Sequence, residues 1–295
     1  MIDEERVRSC LAAEWYLTGA TVTTHNGGMN SATWLVTARG GRWVAKAVRH
    51  DSRRSLVGGL TVAAQVERAG VPAGAPVATR HGDVVTELDG FPLALLRWVE
   101  GEELSSSTPE DQRVIGRTLG RVHQVLRDSS VEDVEGFHWI DVQAPHLAIR
   151  PWIRAAVAAA VQDYDALDPA ALSWGLLHTD PAPEAFRLDR GTGSCGLIDW
   201  STATRGPLLY DLASAVMYVG GPRRADWLVE AYLSSRTVGR AEVEHALATL
   251  LRFRWAVQAD YFARRLATGD LTGIASHAQN EKGLADARRW LDRLG

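Results

Sequence analysis

The sequence predicts an α+β protein: an antiparallel, β-rich N-terminal lobe with one inserted helix (1–99), then a mainly helical C-terminal lobe (100–295). Three observations predict it. Short apolar runs alternate with Gly-containing turns from Ala20 to Val48 and again from Pro76 to Val99, the pattern of a meander. One helical segment, Ser55 to Ala69, falls between these groups. Beyond Asp211 nearly every segment has helical spacing. A chain of 295 residues is long enough to bury the cores of two lobes.

Residues 2–17 read as an amphipathic helix with Val7, Leu11, Ala12 and Trp15 on one face. Strands are expected at 20–24, 33–36 and 43–48, separated by the turns Asn26–Asn30 and Ala38–Gly41. After the helix, Gly70-Val-Pro72 stops the chain, and strands follow at 76–79, 84–88 and 93–99. Glu67 reads as a surface residue near the helix end. Thr108-Pro-Glu-Asp111 is a helix start, with an N-cap Thr, Pro at the first position and acids in the first turn. That helix runs to about Arg127 with Val114, Ile115, Leu119, Val122 and Leu126 buried, and His123 as a packed or capping residue. A polar connection, 128–141, leads to a helix over 147–167 whose Ala-rich run suits close packing. Further helices are expected at 211–219, 223–235, 239–267 and 276–293.

Composition excludes some functions. The formal charge of −4 gives no basic excess for a nucleic-acid partner. No apolar run approaches a membrane span. The start, MIDEERVRSC, lacks a signal-peptide core, and Cys10 and Cys195 show no ligand spacing, so a reducing cytoplasm is expected. Lysine is scarce, Lys46 and Lys282 alone, which makes Lys46 conspicuous in its apolar strand. A buried, unpaired ammonium is costly, so Lys46 either has a partner or faces water from an edge strand.

The most informative stretch is 174–211. Two apolar runs, Trp174–Leu177 and Gly196–Ile198, each end close to an aspartate in a turn, Asp180 and Asp199. Paired as a hairpin, the runs would bring the carboxylates together, an arrangement that suits a cation between them or a proton on one.

His178-Thr-Asp180-Pro-Ala-Pro-Glu-Ala185, Ile198-Asp199-Trp200 and Asp211-Leu-Ala213 together resemble the segments HGDxHxxNxxxD, IDW and DLA. These belong to small-molecule kinases of the aminoglycoside phosphotransferase, choline kinase and homoserine kinase type. The resemblance implies a bilobal, protein-kinase-like fold and phosphoryl transfer from ATP or GTP with Mg²⁺ to a hydroxyl of a small molecule. It implies Asp180 as the base, Asp199 as the metal ligand and Lys46 on the nucleotide phosphates. His178 would be structural, and Asp211 would receive loop N–H groups and hold Arg205 or the His178 turn. The turn with Gly28, Asn30 and Ser31 is either a phosphate cover or an ordinary hairpin turn. The hinge segment would offer adenine the main chain near Trp98 and Val99. Asp260 and Tyr261 fall where related kinases border the acceptor, though spacing alone makes Trp255, Val257, Tyr261 and Phe262 core residues.

The chain departs from the pattern in two places. Ala185 stands where the family has a metal-binding Asn, and no helix acid aligns as the partner of Lys46. Glu184 is either a substitute metal ligand or a solvated loop residue. Only eleven residues separate Asp199 from Asp211, too few for a peptide-docking platform, so the expected partner is a small molecule and the protein a monomer or dimer. The acceptor could be an antibiotic hydroxyl, homoserine, choline or a biosynthetic intermediate. Two alternatives to an active kinase are a nucleotide- or ligand-binding protein of the same fold that has lost catalysis, and a divalent-metal hydrolase using Asp180, Asp199 and His178.

Overall fold

The computed structural model describes residues 2–25, 30–137 and 140–295. In chain order they form α1 (Glu4–Trp15), β1 (Thr21–His25), β2 (Ala32–Ala38), β3 (Gly41–Ala47), α2 (Arg53–Arg68), β4 (Pro76–Val77), β5 (Thr86–Leu88), β6 (Phe91–Arg97) and β7 (Glu102–Glu103). There follow α3 (Pro109–Leu126), α4 (Ile153–Ala166), β8 (Trp174–Leu177), β9 (Phe186–Asp189), β10 (Ser194–Leu197), β11 (Thr204–Pro207), α5 (Leu209–Tyr218), α6 (Asp226–Leu233), α7 (Arg240–Thr268) and α8 (His277–Leu294). The class is α+β.

The chain divides into two compact units. The first is Met1–Glu103 with Val131–Glu135 and Ala185–Ala203; the second is Leu104–Ser130, Gly136–Glu184 and Thr204–Gly295. The expected division at 99/100 puts 131–135 and 185–203 with the helical part. Residues 185–203 belong to the first unit because β9 pairs with β7 there and β10 pairs with β9, and 131–135 because the Asp133 carbonyl lies against Gly58 of α2.

In the first unit an antiparallel sheet runs in the order β1-β2-β3-β6-β4, with β5 also paired to β6. Alternation sends Leu93 and Leu95 to one face, where α1 lays down Val7, Leu11 and Trp15, and Ala94 to the other with Leu56 and Leu60 of α2. Asp3 caps α1 by accepting the Arg6 N–H at 2.8 Å. Lys46 sits on β3 between Thr33 of β2 and Ala94 of β6, so it is on an interior strand and not an edge.

Two glycines settle where α2 lies. A Cβ on Gly59 would be 1.9 Å from the carbonyl oxygen of Trp200, and one on Gly58 would be 2.7 Å from that of Asp133. Only glycine allows backbone to approach this closely. Glu67 is not a free surface residue: its carboxylate accepts the N–H groups of Ala73 and Ala75 at 3.3 and 3.0 Å and pairs with Arg97.

The runs 174–177 and 196–198 are not hairpin partners. β8 pairs with β11, and β10 pairs with β9. β9 gives little strand signal in the sequence, because FRLD is only four residues long. Its turn is built by Asp189, which accepts Gly191 N–H at 2.9 Å and the Thr192 hydroxyl at 2.7 Å.

The second unit is a helical assembly around β8 and β11. Gly116 and Gly120 let α3 press against α6, where a Cβ on Gly116 would meet the Leu228 carbonyl at 2.2 Å. Phe137, Tyr164, Tyr210 and Phe253 stack edgewise and tilted at 4.8–6.3 Å between centroids. The helix expected over 147–167 begins only at Ile153, after a single tight turn at Pro145–Ala148 and the break at Pro151. Of the long helix α7, Trp255 is core, while Val257, Tyr261 and Phe262 are half-buried. Among the described residues no helix is long and apolar enough to cross a membrane.

Candidate active site

In the first unit, Lys46 is 8% exposed. Its ammonium contacts the Asp199 carboxylate and lies 3.2 Å from the Ser201 hydroxyl, which also donates to Asp199 at 3.1 Å. No acid of α2 reaches it; Asp199 takes that place. The helix instead holds the loop itself, since the Ser55 hydroxyl donates to the Ser201 carbonyl at 2.6 Å. Asp199 has a left-handed backbone, φ 70°, a strained conformation for a residue with a side chain. Trp200 fixes the turn from below, its Nε1–H donating to Leu197 O at 2.7 Å. The Asp199 side chain stays 58% exposed.

At the other end of the sheet, Trp98 and Val99 follow β6 and are half-buried. An open pocket of about 290 Å³ is lined by both, with Glu67, Gly70, Pro72 and Arg97. The Arg42 guanidinium covers the Trp98 ring at 4.7 Å. Asn30 is exposed and Ser31 half-buried just before β2, while Gly28 lies outside the described residues.

In the second unit, the turn after β8 presents Asp180. Thr179 has φ 74°, a costly state for a β-branched residue, of order 1–3 kcal/mol. Asp211 offsets that cost. It is fully buried at the first turn of α5 and accepts the N–H groups of His178 and Thr179, both at 2.7 Å. His123 Nε2 lies 3.1 Å from the same carboxylate, and its Nδ1 lies 2.8 Å from the Tyr232 hydroxyl. A carboxylate only accepts, so the tautomer with its proton on Nε2 satisfies both partners. Of the two roles expected of Asp211, the structure gives it the His178 turn. Arg205 lies elsewhere on β11, its guanidinium 5.8 Å from the centre of the Trp174 ring.

Asp180 is half exposed and has two side-chain partners among the described residues. Tyr218, the last residue of α5, donates its hydroxyl to Oδ1 at 2.5 Å, and Arg254 of α7 donates Nη2–H to the same oxygen at 3.0 Å. Burial, with the nearby charge of Asp180, pushes the Tyr218 phenol well above its ordinary range, so it remains a donor. Sequence reading missed both residues. The available signal was two arginines, Arg252 and Arg254, in an otherwise apolar helical stretch, Leu250–Val257, where an unpaired charge would be costly.

Asp260 and Tyr261 are committed to other contacts. Asp260 takes His146 Nε2 at 2.7 Å, and the Tyr261 hydroxyl accepts from Arg265 at 3.3 Å. Glu184 is exposed, and its charge also raises the Tyr218 phenol. Ala185 is 7% exposed, and its carbonyl accepts the Ile198 N–H at 2.9 Å.

Among the described residues no three His, Cys, Asp or Glu side chains could cage an ion, but Mg²⁺ is commonly bound by one or two carboxylates plus substrate phosphates. The exposed Asp199 fits that mode.

The model of the phosphotransferase enzyme family, APH, matches residues 21–245. The chain belongs to this family. The homoserine kinase of Methylobacillus glycogenes is 28% identical over 219 residues, 72% of this chain and 65% of that protein. The chain therefore spans just under two thirds of this relative's length. The amicoumacin kinase hAmiN, solved with AMP-PNP, Ca²⁺ and Ami, superposes with a TM-score of 0.75 at 16% identity over 99% of this chain and 94% of that one. The microcompartment-associated aminopropanol kinase gives 0.72 at 20% identity over 99% of each chain. The fold is protein-kinase-like.

Proposed function

We propose that this phosphotransferase-family chain is a kinase that moves the γ-phosphoryl group of ATP or GTP to a hydroxyl of a small molecule. The observation that carries the reading is the Lys46–Asp199 contact. An interior-strand ammonium is held by an exposed carboxylate in a strained turn, which suits nucleotide phosphates and their metal better than it suits stability alone. Phosphoryl transfer asks a protein mainly for positioning and for neutralisation of charge.

In this reading Lys46 binds the phosphates, and Asp199 would hold Mg²⁺, which supplies charge neutralisation when bound. Main chain at Trp98 and Val99 receives the base, with Asn30 and Ser31 near the phosphates. Asp180 accepts the proton of the acceptor hydroxyl. The freed oxygen forms a bond to the γ-phosphorus, the bond from that phosphorus to the bridging oxygen breaks, and its electron pair leaves with ADP. His178, Asp211 and the turn they build keep Asp180 in place. Glu184 is a solvated residue at the same turn, available to a metal or to a cationic acceptor. The acceptor class is a small amino alcohol or hydroxy amino acid, in keeping with the homoserine and aminopropanol kinases it is similar to. An aminoglycoside or other antibiotic hydroxyl, and with it a part in antibiotic resistance, belongs to the same chemistry.

The test is calorimetric titration of ATP with Mg²⁺ into the native chain and Asp199→Ala, followed by ADP release with homoserine, aminopropanol, choline and an aminoglycoside. The expected outcome is Mg²⁺-dependent binding lost in the variant, and turnover with one acceptor that falls about 100- to 10,000-fold in Asp180→Asn. Absence of nucleotide binding sinks the reading. Binding with no transfer to any acceptor points to the second reading, a nucleotide-binding protein without catalysis, which Ala185 favours because a methyl group cannot coordinate an ion.

A further inference from the structure

The two oxygens of Asp180 are not equivalent. Oδ1 accepts from Tyr218 at 2.5 Å and from Arg254 Nη2 at 3.0 Å. A carboxylate oxygen has about two lone-pair sites, so Oδ1 is saturated. Asp180 makes no other side-chain hydrogen bond among the described residues, yet 52% of its side chain is exposed. Oδ2 is therefore the oxygen left for a ligand.

The donors on Oδ1 are themselves fixed. Arg254 is 8% exposed, and its Nε–H donates to the Ser214 hydroxyl at 2.9 Å. Ser214 in turn donates to the Thr179 carbonyl at 3.3 Å. The guanidinium is thus tied to the residue preceding Asp180 as well as to Asp180. Tyr218 Oη lies 3.5 Å from Arg254 Nη2, which links the two donors. A buried arginine is strongly destabilising without a partner, and here its charged partner is an aspartate half open to solvent.

We propose that Tyr218 and Arg254 are positioning residues that commit Oδ1 of Asp180 to the protein and leave Oδ2 to take the proton of the acceptor hydroxyl. This rests on the reading of Asp180 as the proton acceptor. Without the two donors the carboxylate can rotate about its Cβ–Cγ bond, and either oxygen can turn away from the acceptor. The step keeps its balance: the proton passes from acceptor oxygen to Oδ2, and neither Tyr218 nor Arg254 gains or loses one.

The experiment measures kcat and KM of the full chain with ATP, Mg²⁺ and whichever of homoserine, aminopropanol, choline or an aminoglycoside turns over, and the slower hydrolysis of ATP with water as acceptor. It compares Tyr218→Phe, Asp180→Asn and the double variant. Loss of one hydrogen bond to a charged group lowers kcat about tenfold, with KM for ATP within twofold of native. In the Asp180→Asn background Tyr218→Phe then costs nothing further, which a merely structural tyrosine would not show. Arg254→Lys keeps the charge but cannot reach Ser214 and Asp180 together, and lowers kcat without restoring it in Tyr218→Phe. Should Arg254→Lys fail to fold, the Tyr218 cycle decides alone. An unchanged kcat in Tyr218→Phe, or equal losses in both backgrounds, overturns this proposal and leaves the kinase reading standing. A native chain that turns over none of homoserine, aminopropanol, choline, an aminoglycoside or water overturns the base assignment, and this proposal with it.

Discussion

The turns that present Asp199 and Asp180 solve one problem in two ways. Each delivers a half-exposed carboxylate from a strained backbone, with φ 70° at Asp199 itself and 74° at Thr179 beside Asp180. The Asp199 turn is held by contact: Gly59 brings helix α2 against the Trp200 carbonyl, and Ser55 bonds to the next one. The Asp180 turn is held by charge, since fully buried Asp211 accepts two of its N–H groups. A contact-held turn is sensitive to volume, and a charge-held turn is sensitive to the chemistry of one side chain.

The largest expected stability loss is therefore in Asp211→Asn. The amide keeps the shape but has a single acceptor oxygen for the three donors now at 2.7–3.1 Å. At least one buried N–H goes unsatisfied, and the amide nitrogen faces another donor. The cost is about 3 kcal/mol, read from the shift of the urea denaturation midpoint. A change below about 1 kcal/mol would mean that the turn is held by packing after all, and the contrast with Asp199 would be lost.

Gly59→Ala is the matching test of the contact-held turn, with a smaller effect. The added methyl would lie 1.9 Å from the Trp200 oxygen, so the helix or the loop must move. Overpacking of this kind costs about 1–3 kcal/mol, and the better helix propensity of Ala returns up to about 1 kcal/mol. A net loss near 1–2 kcal/mol, with weaker ATP binding because Ser201 and Asp199 shift together, is the expected result. Stabilisation instead would show that α2 is free to move off the loop.

These supports differ in how legible they were. Residue type and spacing made Lys46, Asp180, Asp199 and Asp211 conspicuous, and the meander could be read from its glycine turns. What could not be read was anything that depends on which segments meet. β9, at four residues, is too short to announce itself, so the strands on either side were paired wrongly. Gly58 and Gly59 gave no signal, because a glycine's value as a contact depends on the backbone opposite. Tyr218 and Arg254 stand 38 and 74 residues from Asp180, and no local pattern links them. Glu67 looked like any helix-end carboxylate until the loop folded back to place two N–H groups on it.

Ser201 was equally silent, and it gives the smallest and sharpest test of the comparison. Its hydroxyl lies 3.2 Å from Lys46 and donates to Asp199, while its carbonyl accepts from Ser55. Ser201→Ala removes the hydroxyl and leaves the carbonyl in place, so it separates side-chain support of the ammonium from docking of the helix. Lys46 keeps Asp199, and one net hydrogen bond is worth about 1 kcal/mol. ATP affinity measured with Mg²⁺ should then fall about fivefold. Ser55→Ala deletes the other bond, and its effect should fall on stability more than on affinity. A hundredfold loss in Ser201→Ala would instead make the serine the principal anchor of Lys46 and free Asp199 for the metal alone. The turn would then be held by side-chain hydrogen bonds as well as by contact, and the first unit would resemble the second more closely than its packing suggests.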